Sequence, residues 1–280
     1  MLLLVPFLCG DLFGGNDEDD EAPDVIGTAG NDTLNGTEAG EKIMAGAGDD
    51  GIAAWSGDDT VNGEEGNDFV LGEMGDDLIF GDAGDDLADG GAGNDTIWLG
   101  EGDDIIADDT LVLDPEFNTG AAGDDRISGG DGNDFLIDWQ GSDSLNGELG
   151  RDTVVSVDDY GTDHAADVNS GGWGMDTLWG DDGDTMTGGG NADDFTVYVD
   201  EADDSAVTIS DFDGANETLF LELPADIFDG SVPELSAVTD PLTGDVTVSA
   251  DGKPVAVLTN PANFDLATNV LLPWWMTQAA

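Results

Sequence analysis

The sequence predicts an all-β solenoid, a stack of short-stranded coils closed at its C-terminal end by antiparallel strands. Three observations predict it. A nine-residue unit repeats nine times without a break from Gly27 to Ala107 and resumes near residue 120, and internal repetition at so short a period builds coils that contact only their neighbours. Within the unit, position six is aspartate and position eight is apolar in fourteen copies, a phase that composition alone does not produce. Beyond Phe195 the repeat gives way to alternating β-type segments separated by Asp-Gly and Thr-Gly-Asp turns.

Residues 1–26 are apolar and then acidic. MLLLVPFLC lacks a basic start and an A-x-A-like cleavage site, so it reads as an apolar plug over the first coil, with a lipid-anchored Cys9 as the lesser alternative. A lone cysteine leaves no intramolecular disulfide. No stretch reaches the roughly twenty apolar residues of a membrane-spanning helix.

Residues 27–107 form the first block, with copies such as GTAGNDTLN (27–35), GEEGNDFVL (63–71) and GGAGNDTIW (90–98). Across the chain, position six holds Asp32, Asp50, Asp59, Asp68, Asp77, Asp86, Asp95, Asp104, Asp125, Asp134, Asp143, Asp152, Asp176 and Asp193. Position four is glycine in all of these units except the last, which has Asn191. Glycine there admits backbone angles closed to other residues, so the turn can aim carbonyls inward. Gly66, Gly75, Gly84, Gly93 and Gly132 are accordingly candidate carbonyl donors beside the aspartates. Oxygen-only donors suit Ca2+, which takes six to eight hard oxygen ligands at about 2.3–2.6 Å; one turn offers half of such a shell and a second must complete it. Residues seven to nine are too few to stand as strands alone, but they can pair with their equivalents one coil above and below, leaving position eight inward.

The departures locate weak points. In GTEAGEKIM (36–44) position six is Glu41 and position four is Ala39, which weakens that site. An insertion at 108–119 (DDTLVLDPEFNT) precedes a second block at 120–155, and another at 156–170 (SVDDYGTDHAADVNS) precedes degenerate repeats at 171–197. Both insertions read as enlarged or looped-out coils, and GDDGDTMT (180–187) is one residue short. Residues 198–280 read as the cap that an open solenoid needs. The segments FTVYV (195–199), AVTIS (206–210), TLFLEL (218–223), DVTVS (245–249) and PVAVL (254–258) are expected there as antiparallel strands.

These residues resemble the RTX calcium-binding repeats, whose nonapeptide is G-G-x-G-x-D-x-U-x, over about 27–197. The resemblance implies a parallel β-roll in which two nonapeptides make one coil. Aspartates eighteen residues apart would then stack and share ions, Asp32, Asp50, Asp68, Asp86 and Asp104 in one column and Asp59, Asp77 and Asp95 in the other, with carbonyls of positions one to four completing each shell. Well-matched neighbours in that arrangement call for about eight calcium ions or more. The resemblance also implies a secreted, extracellular protein exported by the Gram-negative type I route, for which the apolar tail NVLLPWWMTQAA (269–280) could serve as an uncleaved signal.

Charge bears on the same reading. Against 65 acidic residues stand four Lys or Arg, for a net charge of −61. Carboxylates one coil apart, at the strand spacing of about 4.8 Å, repel by roughly 3 kcal/mol each at an effective dielectric near 20, so the ladder needs a cation to fold. Such acidic, glycine-rich composition is otherwise that of a disordered chain, which the strict phase argues against and which remains the expectation without metal. Nucleic acid is excluded as a partner by charge. No H-E-x-x-H and no G-x-S-x-G occurs. Around His164, DYGTDHAA (159–166) is similar, with spacing off by one, to a Tyr-Gly-x-Asp-x-His motif of calcium-dependent alginate epimerases, but no large catalytic module accompanies it. The expectation is a non-enzymatic calcium-binding protein. Its rival is a surface adhesin or assembly subunit with a cell-surface or glycan ligand, prompted by apolar residues at outward positions: Phe69, Leu71, Leu78, Phe80, Trp98, Ile105, Phe135 and Ile137, with Trp55, Trp139, Trp173 and Trp179 nearby.

Overall fold

A computed structural model describes residues 25–107, 123–157, 165–181, 183–199, 205–223 and 232–272. The apolar N-terminal stretch, the insertion at 108–119, His164 and the tail from residue 273 lie outside the described residues.

The first block folds as β1 (Val25–Ile26), β2 (Thr33–Asn35), β3 (Lys42–Ala47), β4 (Gly51–Ala53), β5 (Thr60–Glu65), β6 (Phe69–Met74), β7 (Leu78–Ala83), β8 (Leu87–Ala92), β9 (Thr96–Glu101) and β10 (Ile105–Ala107). The second gives β11 (Arg126–Asp131), β12 (Phe135–Asp138), β13 (Ser144–Leu149) and β14 (Thr153–Ser156). The later repeats give β15 (Val168–Trp173), β16 (Thr177–Gly180), β17 (Thr185–Gly190) and β18 (Asp194–Tyr198). Odd and even strands form two separate sheets, and every pairing through β18 is parallel to the strand one coil away. Strand order by twos is the signature of a roll wound from two units per coil.

Six-residue strands run across unit boundaries, from position seven of one unit to position three of the next. The corner lies at position two, where Glu64, Glu73, Asp82 and Glu148 hold φ of +72° to +75°. Non-glycine residues there cost about 1–2 kcal/mol each, which glycine avoids at Gly91 and Gly100. Position eight points between the sheets as the sequence requires. Val61, Ile79, Ile97, Ile106, Leu136, Val154, Leu178 and Phe195 are all buried, each contributing about 1.5–3 kcal/mol on removal from water.

The insertions leave the ladder untouched. Thr96 pairs with Arg126 and Ile105 with Phe135 across the first, in the same register that elsewhere joins residues eighteen apart. The second is shorter than the phase implied. Residues 168–170, assigned above to the insertion, begin β15, with Ser144 paired to Val168. The buried Asn169 at position eight hid this unit, and its amide donates to Ser156 Oγ and the Trp179 carbonyl instead of packing as an apolar residue.

The roll also runs further than expected. After β19 (Val207–Ile209) and β20 (Thr218–Glu222) come β21 (Leu235–Thr239), β22 (Val246–Ala250), β23 (Lys253–Leu258), the single turn α1 (Leu266–Asn269) and β24 (Val270–Leu271). The segments at 195–199, 206–210 and 218–223 were expected to be antiparallel, yet β18 pairs parallel with β20 and β17 parallel with β19. Alternation identifies a strand but not its partner's direction, and Phe195, Ile209 and Leu219 still feed the same interior. Among the described residues, antiparallel pairing is confined to β21, β22 and β23, and β23 in turn lies parallel to β19.

The outward apolar residues divide between the faces. Leu78, Phe80 and Trp98 lie on the odd-strand sheet, with Phe80 and Trp98 stacked at 5.1 Å. On the even-strand sheet a position-nine ladder runs Ile137, Val155, Trp179, Thr196, Phe220, Leu271 in continuous register.

Candidate metal centre

Each turn between the sheets ends on its position-six aspartate, and the turns stack in two columns. In the first, the backbone N–H of Asp32 donates to Oδ1 of Asp50, and the same bond steps through Asp68, Asp86, Asp104, Asp134, Asp152, Asp176 and Asp193 at 2.7–2.9 Å. The second begins at the Glu41 N–H and steps through Asp59, Asp77, Asp95, Asp125, Asp143, Asp167 and Asp184 at 2.5–2.8 Å. All fourteen aspartates singled out in the sequence therefore fall into the two ladders. Asp167 and Asp184 were missed, because a polar position eight masked the first unit and a deleted residue shifted the second. The signal available was an aspartate immediately before a three-residue β-type segment, as in Asp167-Val-Asn-Ser and Asp184-Thr-Met-Thr.

Position five clips the coils in the opposite sense. Asn31, Asp49, Asn67, Asp85, Asp103 and Asn133 accept, through side-chain oxygen, the N–H of the equivalent residue one coil later at 2.9–3.2 Å.

Oδ1 of each aspartate beyond the first thus holds the turn before it, and in ten of them Oδ2 is left over. The Oδ2 atoms of Asp50, Asp59, Asp68, Asp77, Asp86, Asp104, Asp134, Asp152, Asp176 and Asp193 are buried with no hydrogen-bond partner. A buried anionic oxygen without a partner costs several kcal/mol, and four Lys or Arg in the whole chain cannot neutralise this many. Burial pushes the Asp77 and Asp86 carboxyls up to about 7, and those of Asp104, Asp134, Asp152, Asp176 and Asp193 up to about 6, with neighbouring carboxylates adding to the rise and the donated N–H opposing it. Asp59 and Asp68 move the same way for the same first reason.

Glycine shapes the cradle at two positions for different reasons. At position one it makes room, since a Cβ on Gly81 would lie 2.3 Å from Asp86 Oδ2 and one on Gly72 would lie 2.4 Å from Asp77 Oδ2. At position four, Gly66, Gly75, Gly84 and Gly93 take φ of +140° to +142°, and each stacks on the carbonyl of the glycine one coil earlier. A Cβ on Gly84 would sit 1.9 Å from Gly66 O, and one on Gly132 would sit 1.4 Å from Gly102 O. Position-three carbonyls are already engaged as coil-to-coil acceptors, as in Gly66 N–H to Ala83 O at 2.9 Å.

The first coil differs. Asp32 Oδ2 accepts the Thr28 hydroxyl at 2.7 Å as well as its N–H, and the Glu41 carboxylate is turned onto Thr37. In the second block Asp138 replaces the position-one glycine, and carboxylate oxygens of Asp125, Asp138 and Asp143 lie within 4.8 Å of one another, all buried. Buried, converging, oxygen-only donors in a glycine-lined turn fit a hard divalent cation of calcium's size.

A family model for the RTX calcium-binding nonapeptide repeat matches this chain in four copies, over residues 24–52, 35–70, 71–106 and 119–154. Among solved structures, the extracellular lipase LipA from Serratia marcescens aligns at 18% identity with a TM-score of 0.22, over 85% of this chain and 39% of its own. The chain spans about two-fifths of that lipase's length. No curated protein matches. The matched copies stop at residue 154, whereas the aspartate ladders continue to Asp184 and Asp193.

Proposed function

From the premise that residues 24–154 carry RTX calcium-binding nonapeptide repeats, we propose a secreted, non-enzymatic protein that folds on extracellular calcium, its coils stapled by ions held between successive turns. The observation that carries this reading is the set of bare, buried Oδ2 atoms at Asp50, Asp68, Asp86, Asp104, Asp134, Asp152, Asp176 and Asp193 in the first column and at Asp59 and Asp77 in the second. Asp50, Asp59, Asp68, Asp77, Asp86, Asp95, Asp104, Asp125, Asp134, Asp143, Asp152, Asp167, Asp176, Asp184 and Asp193 supply the carboxylates. The position-four glycines, including Gly66, Gly75, Gly84, Gly93 and Gly132, supply carbonyl oxygen. Calcium bound there replaces repulsion between stacked carboxylates with attraction, so its binding energy becomes folding energy. Because both columns run unbroken past the insertions, the count rises above the eight ions expected from the sequence, to one for each of the seven intervals from Asp50 to Asp193 in the first column and the six from Asp59 to Asp184 in the second. A chain held loose by its own charge at low cytoplasmic calcium suits export before folding.

The decisive experiment is a calcium titration of the chelated protein, read by far-ultraviolet circular dichroism with ion counting by calorimetry. Cooperative gain of β signal is the expected result. Full β structure retained in excess chelator would sink the proposal.

The in-register ladder from Ile137 to Leu271, apolar except at Thr196, favours a second reading, in which the even-strand sheet is an adhesive or assembly face. Calcium-dependent self-association, or binding to cells or glycans that a Trp179→Ser variant abolishes, would establish it.

A further inference from the structure

Among the described residues, the odd-strand sheet ends on β21, which pairs with β22 on one side and with no strand on the other. Which of its backbone groups face outward follows from the register, because in an antiparallel pair alternate residues turn both N–H and C=O toward the neighbour. The Asp251 N–H donates to the Glu234 carbonyl and the Asp240 N–H to the Asp245 carbonyl, so Glu234, Ser236, Val238 and Asp240 face β22. Leu235, Ala237 and Thr239 therefore present their N–H and C=O to the open edge. Natural sheets blunt such an edge with charge, proline or a very short strand. The LSAVT of Leu235–Thr239 has neither charge nor proline, and its five residues are an ordinary strand length. Ser236 to Thr239 are exposed, Val238 by 67%. Carboxylates stand only at the two ends of the strand, at Glu234 and Asp240.

We propose that β21 is a docking edge for an extended peptide of another protein, which adds to the sheet as an antiparallel strand and carries Lys or Arg opposite both Glu234 and Asp240. Charge selects this partner. A second copy paired edge to edge about Ala237 would set each Asp240 against the other copy's Glu234. Like charges directly opposite are destabilising, and they would add to a meeting of −61 with −61. Basic residues at the same two places turn both contacts into attraction, and the field of the whole chain steers a cationic segment toward the edge. Between its basic ends the partner strand is uncharged, with an apolar residue opposite Val238 and small or β-branched ones opposite Ala237 and Thr239, as the pleat and the cross-strand pairs require. Antiparallel addition continues the pairing of β21 with β22 and is the more stable per residue. Main-chain bonds to Leu235, Ala237 and Thr239 then supply affinity, and the flanking charges supply choice. Neither aspartate column takes part, so the edge adds a function to calcium binding rather than restating it.

The test uses the full chain, folded in saturating calcium, titrated with the end-blocked peptide Lys-Thr-Val-Val-Ser-Leu-Lys and followed by calorimetry and residue-resolved amide exchange. The expected result is saturable one-to-one binding. The N–H groups of Leu235, Ala237 and Thr239 should exchange fast in the free protein and slowly in the complex, while those of Ser236 and Val238 are slow in both. Ala237→Pro removes an outward donor without breaking a bond to β22, a change that edge strands tolerate, and should abolish binding. Glu234→Lys/Asp240→Lys should weaken the lysine-ended peptide by about tenfold or more and create binding to the same peptide ended in glutamate. The calcium midpoint of the roll should be the same in both variants, so a failure here leaves the calcium reading standing. Absence of binding by the lysine-ended peptide overturns the proposal, as does equal affinity of the unaltered protein for the glutamate-ended one. Slow exchange of Ala237 and Thr239 in the free protein at every concentration means that the chain covers its own edge and overturns it. Protection that grows with protein concentration assigns the edge to a second copy and overturns it too.

Discussion

Acid should fold this chain when calcium cannot. In chelator, the perturbation is a fall in pH from about 7.5 to about 4, and its size can be worked from the columns. Seven carboxyls, those of Asp77, Asp86, Asp104, Asp134, Asp152, Asp176 and Asp193, are raised from 3.8 to about 6 or 7 in the folded state. At about 1.4 kcal/mol per unit, together they penalise the ionised fold by on the order of 20 kcal/mol, or about 10 kcal/mol after halving for solvent screening. That matches the whole stability of an ordinary domain, about 5–15 kcal/mol. The sign follows from proton binding: a folded-state value above the unfolded one means the folded chain holds more protons between pH 4 and 7. The penalty is absent below the unfolded value near 4, and grows as pH rises through 6 and 7. Circular dichroism and small-angle scattering in chelator should therefore report β structure and compaction gained on acidification through that window. A chelated chain whose β signal is flat across it, or rises with pH, would refute the reasoning. With calcium present the direction inverts, since protons then compete with the ion for the same oxygens.

Four substitutions test separate parts of the roll. Gly84→Ala places a methyl 1.9 Å from Gly66 O at a φ of +140°; it should cost more than about 2 kcal/mol and raise the calcium midpoint of folding, and a melting temperature equal to the parent's would count against the stacking described. Asp86→Asn keeps the acceptor for the Asp68 N–H but removes the charge, so calorimetry should count fewer ions, whereas Asp32→Asn, whose Oδ2 is already engaged by Thr28, should leave the count unchanged; equal losses from the two variants would contradict the distinction. Ile97→Ala opens a cavity at a fully buried position eight and should lower stability by about 2–5 kcal/mol, measured as a fall in melting temperature at fixed calcium.

The roll and its columns were legible because the phase is redundant. Fourteen aspartates and their apolar partners report the same nine-residue clock, and each independently finds its place in the ladders. What escaped was wherever one marker failed. Asn169 put an amide where the clock demanded a hydrocarbon, so Asp167 passed as part of a loop, and a single deletion moved Asp184 out of step. The third carboxylate at Asp138 was visible only as a missing glycine, and nothing in residue spacing says that position one needs space rather than backbone freedom. Pairing direction beyond Phe195 was misread because alternation is a property of one strand, while parallel or antiparallel is a relation between two. The satisfied first coil depends on Thr28 and Thr37 side chains reaching forward four residues, a local contact that a repeat consensus averages away.

The insertions in the sequence after β10 and β14 have a consequence for how such a molecule can diversify. Because Thr96 meets Arg126 and Ser144 meets Val168 as though nothing lay between them, the spacing of the carboxylate rows is insulated from whatever length of chain leaves and re-enters at those edges. New sequence can be spliced there and vary freely, while the mineral spine beneath keeps its pitch.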